Sequence, residues 1–446
     1  MRRSIVLLTT IALTLLVASG VVLAAGIGSA GAQSSVVGPG ESIQKAVNAA
    51  DPGDTIVVRG VHREDVVIRK NGIKLRGDDA VIEAPTTAKA DSPCSRTFGT
   101  EAICVLGDVN IKTGKLTGPR VSDVSVSGFT IRGFKSKGKG GEEPFVIDLT
   151  AARNATVVEN RAIGNVAGGI VAFRNVNTTL AKNHIVGSPK TDVVGISVGF
   201  SSRTTVVKNV VRSIPEGLHA IRVGKSIDTT VMGNDLISDW IGVAAEDSTG
   251  TKILSNDISR FSYAGIFMAG PKPANATVIG NNISGGVWGI DVFGTIRGSF
   301  AGNTIHNNCA GMFFEALPSQ PGGEFEVKGN TVVNNTRSCR ASKFDPPYEV
   351  GINFSGIGIA LLGASGMEVT GNQISGNVPS GPTRISGGVV VAVNPYFEGK
   401  PKPMNNSVIG NHFGRNKPDI FWDESGSGNR FVGNLCDTSV PSSLCN

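Results

Sequence analysis

The chain has 446 residues, 59 of them glycine, with aromatic residues at 6% and charged residues at 17%. That balance favours many tight turns and little helix. The formal charge is +6, and 40 basic residues face 36 acidic ones once Arg2 and Arg3 are set aside. So mild a surplus demands neither nucleic acid nor a membrane surface as a partner.

The N-terminus comes first. Arg2 and Arg3 precede an apolar run over residues 5–25, and Ala30-Gly31-Ala32 offers a small-x-small cleavage site. Together these predict a signal peptide over 1–32, with export to the extracellular space or cell envelope. The run is long enough to serve as an uncleaved anchor; the cleavage site favours removal, after which no membrane contact is expected. Residues 33–446 are then expected to form one domain, because a repeat array overrides the two or three domains that length alone suggests.

Residues 42–50 predict a short helix. Ser42 suits the N-cap, and Ile43, Ala46, Val47 and Ala50 share one face. Asp51-Pro52-Gly53-Asp54 stops it. Short apolar strands follow at 55–58, 65–68, 73–75 and 80–82. Stacked parallel rungs leave an open apolar end, and an amphipathic helix would cover it.

Residues 84–120 break this rhythm. From Val121 a unit V-x-G-N-x-I, then a small or polar run, then G-I-x-V, recurs to about residue 434. Its Asn falls at 160, 183, 209, 234, 256, 281, 303, 330, 372, 411 and 434. Most steps are 22 to 27 residues; the two long ones carry insertions near 338–356, 378–387 and 394–406, and another lies at 135–144. A period near 24 with about three short strands per copy predicts one coil of a parallel β-solenoid. The Asn residues are expected to stack in turns that tolerate left-handed backbone, with their amides bonded to neighbouring coils.

Six cysteines in an exported chain predict disulfides. Six cysteines allow 15 connectivities, which the sequence does not settle; the expectation taken is nearest-neighbour pairing, Cys94–Cys104, Cys309–Cys339 and Cys436–Cys445. No C-x-x-C occurs and the five His are scattered, so no metal site is expected.

The stretch G-E-S-I-Q-K-A-V-N-A-A-D-P-G-D-T-I-V-V at 40–58, followed by the V-x-G-N-x-I copies, resembles right-handed parallel β-helix proteins of the pectin lyase-like superfamily. It is most similar to secreted or periplasmic β-helix repeat and NosD-like members. The resemblance covers about 36–433. It implies an all-β, right-handed parallel β-helix of about ten or more coils with a short N-terminal capping helix. That superfamily holds lyases, hydrolases, epimerases, tailspikes and adhesins, so fold does not fix activity. The N-x-D, D-D, G-H-G and R-x-K series, the D-P-H-D signature and R-x-P-x-x-R are all absent.

Aligning the copies on G-I-x-V predicts one exterior patch over five coils. Arg222, Phe267, Asp291 and Phe313 form one outward column; Glu246, Phe293 and Glu315 form the next. Carboxylates among aromatic rings suit a saccharide groove. Asp291 and Glu315 are the expected acid and base, with Arg222 and His219, beside Glu216, as further catalytic candidates. Glu246, Phe267, Phe293 and Phe313 are the expected substrate contacts. Two functions follow: a polysaccharide lyase or hydrolase, with Ca²⁺ possible for a lyase, or a non-catalytic carbohydrate-binding surface protein. A monomer with polysaccharide as partner is expected in both.

Overall fold

The computed structural model describes residues 31–445 except 87–100, 111, 136–144, 188–193, 213–218, 238–239, 271–272, 321, 341–352, 395–398 and 400. The expected signal peptide and Cys94 lie outside these residues.

Each coil gives one strand to a 14-stranded sheet and one or two to a 25-stranded sheet. Strands of the 14-stranded sheet follow chain order from Val66–Ile68 and Ile103–Leu106 to Ile420–Trp422 and Ser439–Val440, all in parallel pairs. In the larger sheet, Thr156–Val158 and Arg161–Ile163 pair with Thr179–Ala181 and His184–Val186 of the next coil, and the pattern repeats. This is a right-handed parallel β-helix.

The residue after the repeat glycine, or after Val146 and Ala220 where they replace it, points inward. Ile147, Ile170, Ile196, Ile221, Val243, Ile266, Ile290, Met312, Ile359 and Val389 are buried and stacked in register. The repeat glycines are required by the same packing. A Cβ at Gly242 would meet the Ile258 side chain at 2.4 Å and the Gly265 carbonyl at 2.6 Å.

The capping helix spans Ile43–Ala49, with Ile43 and Val47 buried. Ser42 caps it, accepting from the Lys45 N–H at 3.2 Å. Glu64 completes that end, accepting from the Ile43 and Gln44 N–H groups at 2.6 and 3.2 Å. A carboxylate there also complements the helix dipole.

The Asn series forms a buried ladder. Asn256 Nδ2 donates to Val231 O at 3.0 Å and to Asn281 Oδ1 at 2.9 Å. Its own Oδ1 accepts from the Asn234 backbone N–H and Nδ2, both at 2.9 Å. The left-handed backbone, however, belongs to the residue before the Asn: Glu159, Lys182, Lys208 and Ser255 have φ of 59°, 54°, 55° and 51°, and glycine takes the place in other copies. A second ladder, Asn308–Asn335–Asn377–Asn416, runs beside the first and ends on Asp419. The sequence pattern had not shown it.

The region 84–120 departs from expectation as well. Ile103–Leu106 is a regular rung between Val66–Ile68 and Phe145–Thr150. A small antiparallel pair, Val109–Asn110 with Lys115–Leu116, follows.

Cys309–Cys339 and Cys436–Cys445 are disulfides, as expected. Cys104 is also disulfide-bonded.

Replacing Asn256 by Ala strands buried donors and acceptors on two neighbouring coils. Each unsatisfied buried group costs about 1–3 kcal/mol. Asn256→Ala is therefore expected to lower unfolding free energy by about 2–4 kcal/mol in a denaturant titration. A loss below about 0.5 kcal/mol would contradict the ladder's role.

Candidate functional site

The outer face of the 14-stranded sheet has two halves. The expected register holds throughout: Ser197, Arg222, Ala244, Phe267, Asp291 and Phe313 are successive partners, as are Gly199, Gly224, Glu246, Ala269, Phe293 and Glu315. Exposure along those columns does not hold.

The first half is an open groove of ≈ 480 Å³. Its floor is made of small outward residues: Ser197, Gly199, Gly224 and Ala269. A Cβ at Gly224 would meet nothing within 4 Å. Phe173 and Phe200 form one wall, edge to face at 5.5 Å between ring centroids. Phe200 is 47% exposed and holds φ of 52°, a strained setting for an aromatic residue. Arg222 crosses the floor, its Nε donating to Glu246 Oε2 at 2.6 Å. Both are partly exposed, so screening keeps this pair's contribution to stability small.

The second half is covered. Asp291 and Phe313 are 0% exposed, and Glu315 is 1% exposed. This corrects the exterior placement expected of all three. An outer apolar cluster of Ile241, Tyr263, Trp288, Phe313, Phe354 and Ile357, among others, lies over the sheet here. Its rings pack continuously: Trp240 to Tyr263 at 5.2 Å, Tyr263 to Trp288 at 4.8 Å, Trp288 to Phe354 at 4.9 Å. The Cys309–Cys339 disulfide ties the adjoining segment down. Phe267 and Phe293 are half-buried at its margin.

His219 lies under this cover too, 7% exposed and 6.1 Å from Trp240. Burial first, and then the charge of Arg222, pull its pKa down to about 3. The ring is therefore neutral near pH 7 and cannot donate a proton there as an acid. Neither its setting nor its charge state matches the accessible acid–base group that was expected. Glu216 falls outside the described residues.

Asp291 and Glu315 do come together. Tyr263 Oη donates to Asp291 Oδ2 at 3.1 Å, and Asn394 Nδ2 donates to Glu315 Oε2 at 2.8 Å. Burial, and then the Glu315 charge, hold the Asp291 carboxyl well above the ordinary range, against the Tyr263 bond. The Glu315 charge thus favours a neutral Asp291 over a second charge beside it. Among the described residues, no group of three His, Cys, Asp or Glu is placed to hold a metal ion.

A raised carboxyl pKa means that the folded state binds the proton more tightly. The resulting stability is full below the ordinary carboxyl value, about 3.9, and is lost as pH rises through the raised one. Asp291→Asn keeps the shape without the titration. Its melting temperature is expected to fall less than the wild type's as pH rises above the ordinary carboxyl value, about 3.9. Parallel profiles would contradict a proton held at Asp291.

Residues 217–399 match a family model described as "Right handed beta helix region". No curated protein matches the sequence. Among solved structures, the catalytic unit of a GH87 α-1,3-glucanase from Streptomyces thermodiastaticus is similar at TM-score 0.57 and 16% identity, covering 93% of this chain and 70% of that one. XylC in complex with xylose is similar at TM-score 0.51 and 11% identity, covering 78% and 84%. At such identities the likeness concerns the fold. The coil register gives this chain the right-handed parallel β-helix fold, and residues 217–399 carry the matching family pattern.

Proposed function

We propose that this protein binds polysaccharide outside the cytoplasm, in the open groove between Phe173, Phe200, Arg222 and Glu246. One observation carries this: small outward side chains on successive coils leave a groove walled by rings and crossed by a charged pair. Sugars present apolar ring faces and hydroxyls, and both kinds of partner are available there. The disulfides fit an oxidising compartment, and the N-terminal segment fits export. Two similar structures with TM-scores above 0.5 are named for a glucanase and a xylose complex, in keeping with carbohydrate as the ligand class.

A second reading makes the protein a lyase or hydrolase. It is favoured by the raised carboxyl of Asp291 beside Glu315, the pattern by which an acid and a base divide their roles. That chemistry needs the cover to admit substrate. The groove's own carboxylate, Glu246, needs no such step.

A polysaccharide panel should be read for binding, for new reducing ends and for absorbance of unsaturated products. Gly224→Leu fills the floor without backbone strain and is expected to weaken binding tenfold or more, about 1.4 kcal/mol. Phe200→Ala is expected to do the same, with melting temperature little changed. Full affinity in both variants would contradict the groove. If turnover is found, Asp291→Asn and Glu315→Gln are expected to cut it by about a hundredfold or more under the catalytic reading. Retained turnover in both would remove them from the chemistry.

A further inference from the structure

The groove is edged by a row of turn residues on successive coils. Backbone N–H groups of Ala151, Arg174, Phe200, Lys225 and Asp247 donate in turn to Phe173 O, Gly199 O, Gly224 O, Glu246 O and Ala269 O. These residues therefore follow one another at the sheet spacing, about 4.8 Å apart. Arg120 joins the row from the N-terminal side, its Nε donating to Arg174 O at 3.0 Å. Arg153 sits two residues beyond Ala151.

This edge is cationic from Arg120 to Lys225, and its one carboxylate, Asp247, follows one coil beyond Lys225. Among the described residues, none of Arg120, Arg153, Arg174 and Lys225 is in an ion pair. Arg174 and Lys225 are held instead by Phe200, at 5.1 and 5.5 Å from its ring centroid, and Arg174 also lies 5.5 Å from Phe173. Arg174 Nε is buried with no hydrogen-bond partner. Burial, and then the charges of Arg153 and Arg174, hold Arg120 below the usual guanidinium range.

Two of the nearby acids are occupied. Glu246 is bound to Arg222. Asp123, the acid whose field reaches Arg153, accepts from Asn154 Nδ2 at 3.0 Å and from Ser122. Asp247 closes the far end of the row, beside Gly270.

Repelling guanidiniums clustered on rings rather than on carboxylates are poor structural elements. They form a focused positive field beside a groove, with donors of the type that grip oxyanions. We infer that Arg174 and Lys225, supported by Arg120 and Arg153, form an anion subsite along this groove, so that its ligand is an acidic polysaccharide bearing carboxylate or sulfate groups. This rests on the groove reading and narrows it. A linear chain laid along the axis meets cation, ring and cation, with Arg174 and Lys225 two coils apart, about 9.6 Å.

The test is affinity electrophoresis of the full exported chain with alginate, polygalacturonate and dextran sulfate. Each is run beside its neutral counterpart, carboxyl-reduced or unsulfated. Arg174→Gln and Lys225→Gln are expected to weaken binding of an acidic polymer tenfold or more each. Arg153→Gln, at an exposed position whose loss leaves the coils intact, is expected to weaken it severalfold. Added salt should weaken the wild type more than the variants. Preference for carboxylated over sulfated polymer, or the reverse, identifies the group. If neutral counterparts bind as tightly, and Gly224→Leu blocks them, the anion subsite falls while the groove stands. If an acidic polymer binds but all three charge variants keep full affinity, the subsite is also wrong. If no polymer binds, both readings fail.

Discussion

Everything in this molecule depends on one constraint: each coil must offer the next coil the groups that satisfy it. A buried Asn amide cannot be hydrated, so it needs partners from protein. Here those partners come from the equivalent Asn on the coils before and after, and from a backbone carbonyl and a backbone N–H of the coil before. The apolar stack inside obeys the same rule, with Ile or Val above Ile or Val at the sheet spacing. Regularity is therefore forced on the interior. The outer face is free to vary, and function is drawn from it.

That freedom is used in two ways on the 14-stranded sheet. Where outward residues are small, as at Ser197, Gly199 and Gly224, the face stays open and a groove results. Where they are large and apolar, as at Trp288 and Phe313, they recruit a second core on the outside of the coil. Asp291 and Glu315 fall in the covered half, where burial, and then the Glu315 charge, raise the Asp291 carboxyl. Glu246 falls in the open half and is engaged by Arg222. Two carboxylates in equivalent columns thus meet opposite environments within three coils.

The interior was legible from the residues alone, because the repeat glycine, the following Ile and the turn Asn each have a local physical cause. The register of the outward columns was legible for the same reason: strand alternation carries it from coil to coil. Burial of those columns was not. It depends on segments far away in sequence, such as Phe354 over Trp288 and Asn394 on Glu315, which no periodicity announces. The second Asn ladder was missed because its members sit five residues after the first, inside stretches taken as small or polar runs. Phe200, Arg174 and Lys225 were missed because they occupy turn positions outside the strand columns. The left-handed backbone of Phe200 had a partial signal nonetheless: a bulky residue stood where later copies place Asp247, Gly270 and Gly294.

The central claim is that ligand lies in the open half of this face. A crystal structure with a bound oligosaccharide, taken from whichever polymer binds, tests it most directly. The account predicts sugar density over Ser197, Gly199 and Gly224, against Phe173 and Phe200 and within hydrogen-bond reach of Arg222 and Glu246. Sugar density seated instead on Asp291 and Glu315, with the Trp288–Phe354 cover displaced, would contradict it.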